Sequence, residues 1–155
     1  MSAPNPNHPL KARAGAILFY ENKLLLMKQN KKPFWVFPGG TLEPNESLAT
    51  CAVRELEEEA GLTIELTGMA AFTELVQPHR HVIDTFFWGE LAQSNPPLTW
   101  TAPHPENIDA IAWVSLEEAL KASIMPPQVA KRAVKTWALG QHKNTPNFGY
   151  LPPSN

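Results

Sequence analysis

At 155 residues, with 43% hydrophobic and 18% charged side chains, the chain has the size and composition of a globular domain, not of a disordered segment. Its formal net charge of -2 argues against a protein that coats nucleic acid or anionic lipid. No apolar run approaches the roughly 20 residues that span a bilayer as a helix. The start, "MSAPNPNHPLKARAG", lacks the apolar stretch of a signal peptide. The single cysteine, Cys51, excludes an internal disulfide and fits a reducing compartment, so a cytoplasmic location is expected.

Residues 1–10 are polar and proline-rich and are expected to form a flexible arm. "RAGAILFY" and "KLLLMKQ", separated by Glu21-Asn22, read as a β-hairpin, and "PFWVF" as a short strand cut off by Pro38-Gly39-Gly40. A helix follows from about Ser47 to Ala60, with Gly61 at a left-handed C-cap. Its apolar face is expected to hold Leu48, Ala49, Ala52, Val53, Leu56 and Ala60. Two strands, about 62–76 and 81–91, come next, with "QPHR" between them. "SNPPLTWTAPHPEN" is a proline-rich loop, long enough to be functional or mobile, and "IDAIAWVS" is a further strand. Ser115-Leu116-Glu117-Glu118 is a capping box opening a short helix. Pro126-Pro127 starts the last helix, which Gly140 ends. Residues 11–140 are thus expected to form one domain of α/β class with a mixed sheet, followed by an irregular tail over 141–155.

The helix around Glu55 is built against its own dipole. Glu55, Glu57, Glu58 and Glu59 crowd its C-terminal end, where each carboxylate costs a few tenths to about 1 kcal/mol. Glu55, Glu58 and Glu59 are three and four residues apart and are expected to converge on one face, with Glu57 on the other. The ordinary reading of such a cluster is a solvated acidic surface. The chemical reading is a hard, all-oxygen site for magnesium or manganese, which takes one or two carboxylates plus water and substrate phosphates. Gly39 and Gly40, with no Cβ, allow a backbone carbonyl to approach it.

The wider spacing favours the second reading. Gly40, Glu46, Arg54-Glu55-Leu56, Glu58-Glu59 and Gly61-Leu62 match at every specified position the motif of the Nudix hydrolases, which this chain resembles. At average amino-acid usage, nine such matches arise on the order of once in 10⁹ starting points. The order of strands and helices is similar to that family as well. The resemblance implies an α/β/α sandwich and an enzyme that uses magnesium or manganese to hydrolyse the pyrophosphate link of a nucleoside diphosphate joined to another group. It implies Glu55 and Glu59 as metal ligands, with Glu58 sharing a metal or handling the water, and a carbonyl of Gly39 or Gly40 as a further ligand. Arg54 is expected to pair with Glu46 or to orient a neighbouring glutamate, and Gly61 to shape the helix end.

The chain departs from MutT-like relatives in one respect: Ala112 stands before Trp113, where some of them carry a catalytic carboxylate. The base is then Glu58, Asp109 or Glu106, with Glu58 preferred. That departure, with Pro78 beyond the box, favours ADP-ribose or a nucleotide sugar over a nucleoside triphosphate, ordinary or oxidised. A non-catalytic ligand-binding regulator would be expected to lose box carboxylates, all of which are present.

Phe34 and Trp35 are candidates to stack on a base, against the plainer reading that they are core. Arg80 and His81 of "PHRH" are candidates to meet phosphates, against a solvated turn. His79 and His81 lack a third ligand at zinc spacing. Trp100 is either a lid residue or a solvent-facing one, and Cys51 is read as a small packing residue. A nucleotide is the expected partner, with no membrane or nucleic acid. The arm and tail are long enough to reach a second copy, so by analogy a homodimer is also expected.

Overall fold

The computed structural model of the chain describes residues 9–144 apart from 102 and 106. The expected arm therefore lies outside the described residues except for Pro9 and Leu10, as does the tail beyond residue 144. Strand β1 (Leu10–Tyr20) turns through Glu21 and Asn22 into β2 (Lys23–Gln29), with Phe19 opposite Leu24. Both turn residues have positive φ, 48° and 59°, which matches a two-residue loop to the twist of its strands. Then come β3 (Trp35–Val36), β4 (Gly39–Thr41), α1 (Leu48–Ala60), and the long hairpin of β5 (Ile64–Gln77) and β6 (Arg80–Leu91). The chain continues through β7 (Ile108–Ser115), α2 (Leu116–Lys121), β8 (Ile124–Met125) and α3 (Pro127–Ala138). A 3₁₀ turn (Gln141–Asn144) follows, where an irregular tail was expected.

The strands run in the order β5-β6-β1-β2-β3-β8, with β4 paired to β1 and β7 to β2. Pairs β1–β6 and β3–β8 are parallel and the rest antiparallel, so the sheet is mixed. Successive strand residues face opposite sides. Ala16, Leu18, Leu25 and Met27 accordingly pack with Leu56 and Ala60 of α1. Ile17, Phe19, Leu24 and Leu26 pack with Ala119 of α2 and Val129, Ala130, Ala133 and Val134 of α3. Burial on both faces explains why "LLLM" in β2 is apolar without alternation. The fold is an α/β/α sandwich.

Helix α1 is tied at both ends. The Ser47 hydroxyl accepts the Thr50 N–H at 3.0 Å, and Gly61, at φ 66°, gives its N–H to the Glu57 carbonyl at 2.9 Å. Its buried face consists of Cys51, Ala52, Leu56 and Ala60. Leu48, Ala49 and Val53, expected on that face, are half-buried, and Cys51 takes the central place. Burial pushes the Cys51 thiol up to about 11, so it stays protonated and packs as a small apolar group.

Candidate active site

The site begins with the strand that brings the box to the sheet. β4 pairs antiparallel with β1, with Gly39 opposite Gly15, Gly40 opposite Ala14 and Thr41 opposite Arg13. A Cβ on Gly39 would stand 2.6 Å from the Ala14 carbonyl oxygen, and one on Gly40 would overlap the Glu55 carboxylate. The two glycines thus let β4 press against β1 on one side and against the α1 carboxylates on the other. The Gly40 carbonyl lies in this seam and accepts a weak bond from the Cys51 thiol at 3.6 Å.

Arg54 organises the seam. Its Nε and Nη2 donate to the two oxygens of Glu46 at 2.6 and 3.0 Å, a bidentate pair. Nη1 donates to Glu55 Oε1 at 2.8 Å and Glu58 Oε2 at 3.1 Å, and Nη2 to the Thr41 carbonyl at 3.3 Å. The guanidinium holds the Glu46 carboxyl down to about 2, while Glu46 and Glu55 in turn raise Arg54 above its already high value. Loop, strand and helix are therefore joined through one side chain, and Glu46 also accepts the Glu43 N–H at 2.9 Å.

The three carboxylates differ in exposure. Glu58 is 60% exposed and turned toward Arg54, whereas Glu55 is only 14% exposed. Glu59 is half-buried, and its Oε2 is enclosed with no hydrogen-bond partner. Burial, and the facing Glu55 carboxylate, push the Glu59 carboxyl well above the usual range, with the Gly39 backbone and Arg13 pulling the other way. Glu55 and Glu58 share the Arg54 Nη1 donor and Glu55 faces Glu59 as a pair, so Glu55 stands between the other two and Glu58 is the exposed member of the expected three-carboxylate face. Among the described residues no three His, Cys, Asp or Glu side chains form a complete cage for a metal. The pair fits a hard divalent cation nonetheless. It offers oxygen donors alone, one of them enclosed and unsatisfied, and magnesium completes its shell with water and phosphate.

Among the other candidates, Trp35 packs against the α3-side core, with Lys28 Nζ 5.0 Å over its ring, and Phe34 is half-buried just before β3. Arg80 and His81 lie at the far end of the β5–β6 hairpin, where His81 Nε2 meets Glu74 Oε1 at 2.8 Å. His81 is opposite Leu10, three residues along β1 from the near end of the box strand at Arg13 and five from Gly15, roughly 10 to 16 Å along the strand. The structure does not bring Arg80 or His81 to the carboxylate pair; the extended hairpin separates them. Asp109 accepts the Lys31 N–H at 2.6 Å and fastens the β2–β3 connection, while Glu106 lies outside the described residues. Trp100 is no free lid: its indole N–H donates to the Ala60 carbonyl at 2.8 Å, at the negative end of α1. Trp113 holds the same loop through the Pro97 carbonyl at 2.9 Å.

The sequence model of the NUDIX domain matches residues 9–135, and the chain belongs to the Nudix hydrolase family. It is a hydrolase of the family that acts on nucleoside diphosphate derivatives, whose members generally use divalent metal ions. It is 32% identical over 128 residues to the phosphatase NudJ of Shigella boydii and 31% identical to that of Escherichia coli K12, covering 81% of each chain in both cases. The fold is similar to the E. coli ORF135 protein, with a TM-score of 0.64 at 22% identity, covering 88% of this chain and 97% of that one. It also resembles an ADP-ribose pyrophosphatase from Streptococcus suis, with a TM-score of 0.61 at 22% identity, covering 82% and 91% of the two chains. No helix among the described residues is long and apolar enough to cross a membrane.

Proposed function

We propose that this hydrolase uses magnesium or manganese to cleave the pyrophosphate link of a nucleoside diphosphate joined to a second group, ADP-ribose or a nucleotide sugar. The observation that carries the reading is the Glu55–Glu59 pair, in which an enclosed carboxylate oxygen has no partner and a facing carboxylate repels it. Glu55, Glu59 and the Gly40 carbonyl would hold the ion, which when bound supplies neutralising charge to the phosphate oxygens. Glu58 would accept the proton of the attacking water; its exposure and single Arg54 bond support that role. Arg54 keeps Glu55 and Glu58 aimed, and Glu46, Gly39 and Gly61 support the loop and the helix end. The catalytic domain spans residues 11–140, and the lone, buried Cys51 suits a cytoplasmic setting.

The diphosphate derivative is preferred because Ala112 leaves no carboxylate before Trp113. The 32% identity to a protein named a phosphatase favours a second reading, in which a nucleoside triphosphate, ordinary or oxidised, is cleaved. Both are tested by incubating the protein with magnesium, then manganese, against ADP-ribose, nucleotide sugars, and ordinary and 8-oxo nucleoside triphosphates, with chromatography of the products. Metal-dependent cleavage of ADP-ribose or a nucleotide sugar that Glu59→Gln abolishes is the expected result. Release of phosphate or pyrophosphate from triphosphates alone would transfer the assignment to the second reading. Nucleotide binding without turnover of any substrate would make the chain a regulator.

A further inference from the structure

A polyanionic substrate approaching this site meets mostly carboxylates, so it requires a cation that is not already engaged. Arg54 is engaged on every nitrogen, with Glu46, Glu55, Glu58 and the Thr41 carbonyl. The other guanidinium beside the box belongs to Arg13. On one edge of β1, Arg13 lies opposite Thr41 of β4, two residues from the Gly15–Gly39 pair; on the other edge it lies opposite Asp84 of β6. Asp84 Oδ1 accepts the Arg13 Nε–H at 2.9 Å, and both side chains are 30% exposed. Among the described residues the two Nη groups have no hydrogen-bond or ion-pair partner.

We propose that Arg13 binds a phosphate of the substrate through its two Nη groups, with Asp84 as the positioning residue that fixes its Nε. The inference rests on the nucleotide substrate proposed above. A guanidinium anchored at Nε keeps its remaining donors in one plane, the fork that matches two phosphate oxygens. The anchor also removes much of the rotamer freedom that binding would otherwise have to freeze. Pairing opposite Thr41 sets the Arg13 backbone one residue along β1 from Ala14, the partner of Gly40 in the box strand. Asp84, in turn, gains a partner that keeps its own charge from opposing the substrate.

The test uses the full chain and ADP as the probe. Calorimetric titration of ADP into protein held metal-free with EDTA isolates the arginine from any ion. Arg13→Gln should weaken ADP binding roughly ten- to a hundredfold. Arg13→Lys should restore only part of the loss, because a point charge lacks the fork. Asp84→Asn, which keeps an acceptor for Nε, should stay near the wild type, and Asp84→Ala should fall between wild type and Arg13→Gln. With metal and the best substrate of the panel, Arg13→Gln should raise KM far more than it lowers kcat. Thermal melting of each variant identifies any that fails to fold, and Arg13→Lys then carries the comparison in place of Arg13→Gln. Equal ADP affinity in wild type and folded Arg13 variants, or no measurable metal-free ADP binding by the wild type, overturns the proposal. Failure of the wild type to hydrolyse anything refutes the parent reading instead, while the ADP titration still decides for or against Arg13.

Discussion

Helix α2 places Glu117 and Glu118 in its first turn and Lys121 in its last, where Lys121 meets Glu117 at 2.9 Å. Helix α1 has no acid in its first turn and no base in its last, and carries Glu55, Glu57, Glu58 and Glu59 toward its C-terminus. The first arrangement follows the helix dipole and the second opposes it. Both helices have a serine N-cap, so the contrast is not one of careless construction. α2 is arranged for its own stability. α1 accepts charge in an unfavourable place, eased by the Arg54 network and by the Trp100 N–H on the Ala60 carbonyl. A helix charged against its dipole, beside one charged along it, is the pattern expected where binding and not stability sets the sequence.

The largest expected effect comes from separating the two roles of Glu59. Glu59→Gln keeps the shape and removes the charge, so kcat/KM should fall by at least about a hundredfold through loss of charge stabilisation at the phosphate. In metal-free buffer at neutral pH the same variant should melt close to the wild type, since burial and the facing Glu55 raise the Glu59 carboxyl to about 9, so it already holds a proton there and Gln keeps its shape. Melting curves with EDTA, beside initial rates with magnesium, check both halves. A variant that loses stability as well as activity would mean that the pair belongs to the scaffold, and the contrast with α2 would disappear.

Arg54 should show the opposite balance in stability. Arg54→Ala leaves Glu46, whose side chain is 9% exposed, without its bidentate partner. Breaking a nearly buried pair on one side costs about 3 kcal/mol, which urea unfolding would register. Activity should fall too, because Glu55 and Glu58 lose the donor that aims them. Arg54→Lys should recover little of either, since an ammonium cannot serve Glu46, Glu55 and the Thr41 carbonyl together.

The same pair predicts a pH dependence. Glu46 is lowered from an ordinary value of 4.5 to about 2, chiefly by Arg54. The folded state therefore holds this proton less tightly than the unfolded chain, and unfolding takes one up in the acid range. The contribution is fully present above about pH 4.5 and is lost as pH falls through about 2. Urea midpoints measured from pH 6 downward should fall more steeply for the wild type than for Glu46→Gln. Parallel slopes would show that the Glu46–Arg54 pair is not the acid-labile joint of the box.

Much of this was legible in the residues because it is local. The Glu21-Asn22 turn, the Ser47 cap with Gly61, and the Ser115 capping box each announce an element within a few positions. β4 and β8 were not visible, since strands of three and two residues have no period and exist only through partners in β1 and β3. The site divides in the same way. The box spacing singled out Glu55, Glu58 and Glu59, but helical spacing places three Cβ atoms on a face without saying where three long side chains turn. Arg54 settles part of that by holding Glu55 and Glu58 on one nitrogen. Arg13 and Asp84 are 71 residues apart, and only the parallel register of β1 with β6 joins them. The alternation of Lys11 and Arg13 with alanines in a strand start was the one local hint.

The smallest effect is also the sharpest control on the contrast between the helices. Ser47→Ala and Ser115→Ala remove the same kind of bond, a serine hydroxyl accepting a backbone N–H in the first turn. Each should cost about 1 kcal/mol of stability. The consequences for activity should differ. Ser115→Ala loosens a helix that carries no candidate group, so kcat/KM should stay at the wild-type level. Ser47→Ala loosens the start of the helix on which Arg54, Glu55 and Glu59 sit, so a modest fall in kcat/KM should accompany the loss of stability. Rates measured well below both melting temperatures separate this from unfolding. Equal rates in the two variants would mean that the carboxylate pair is held by the Arg54 network and the glycine seam alone, and that the cap of α1, like that of α2, serves only the helix.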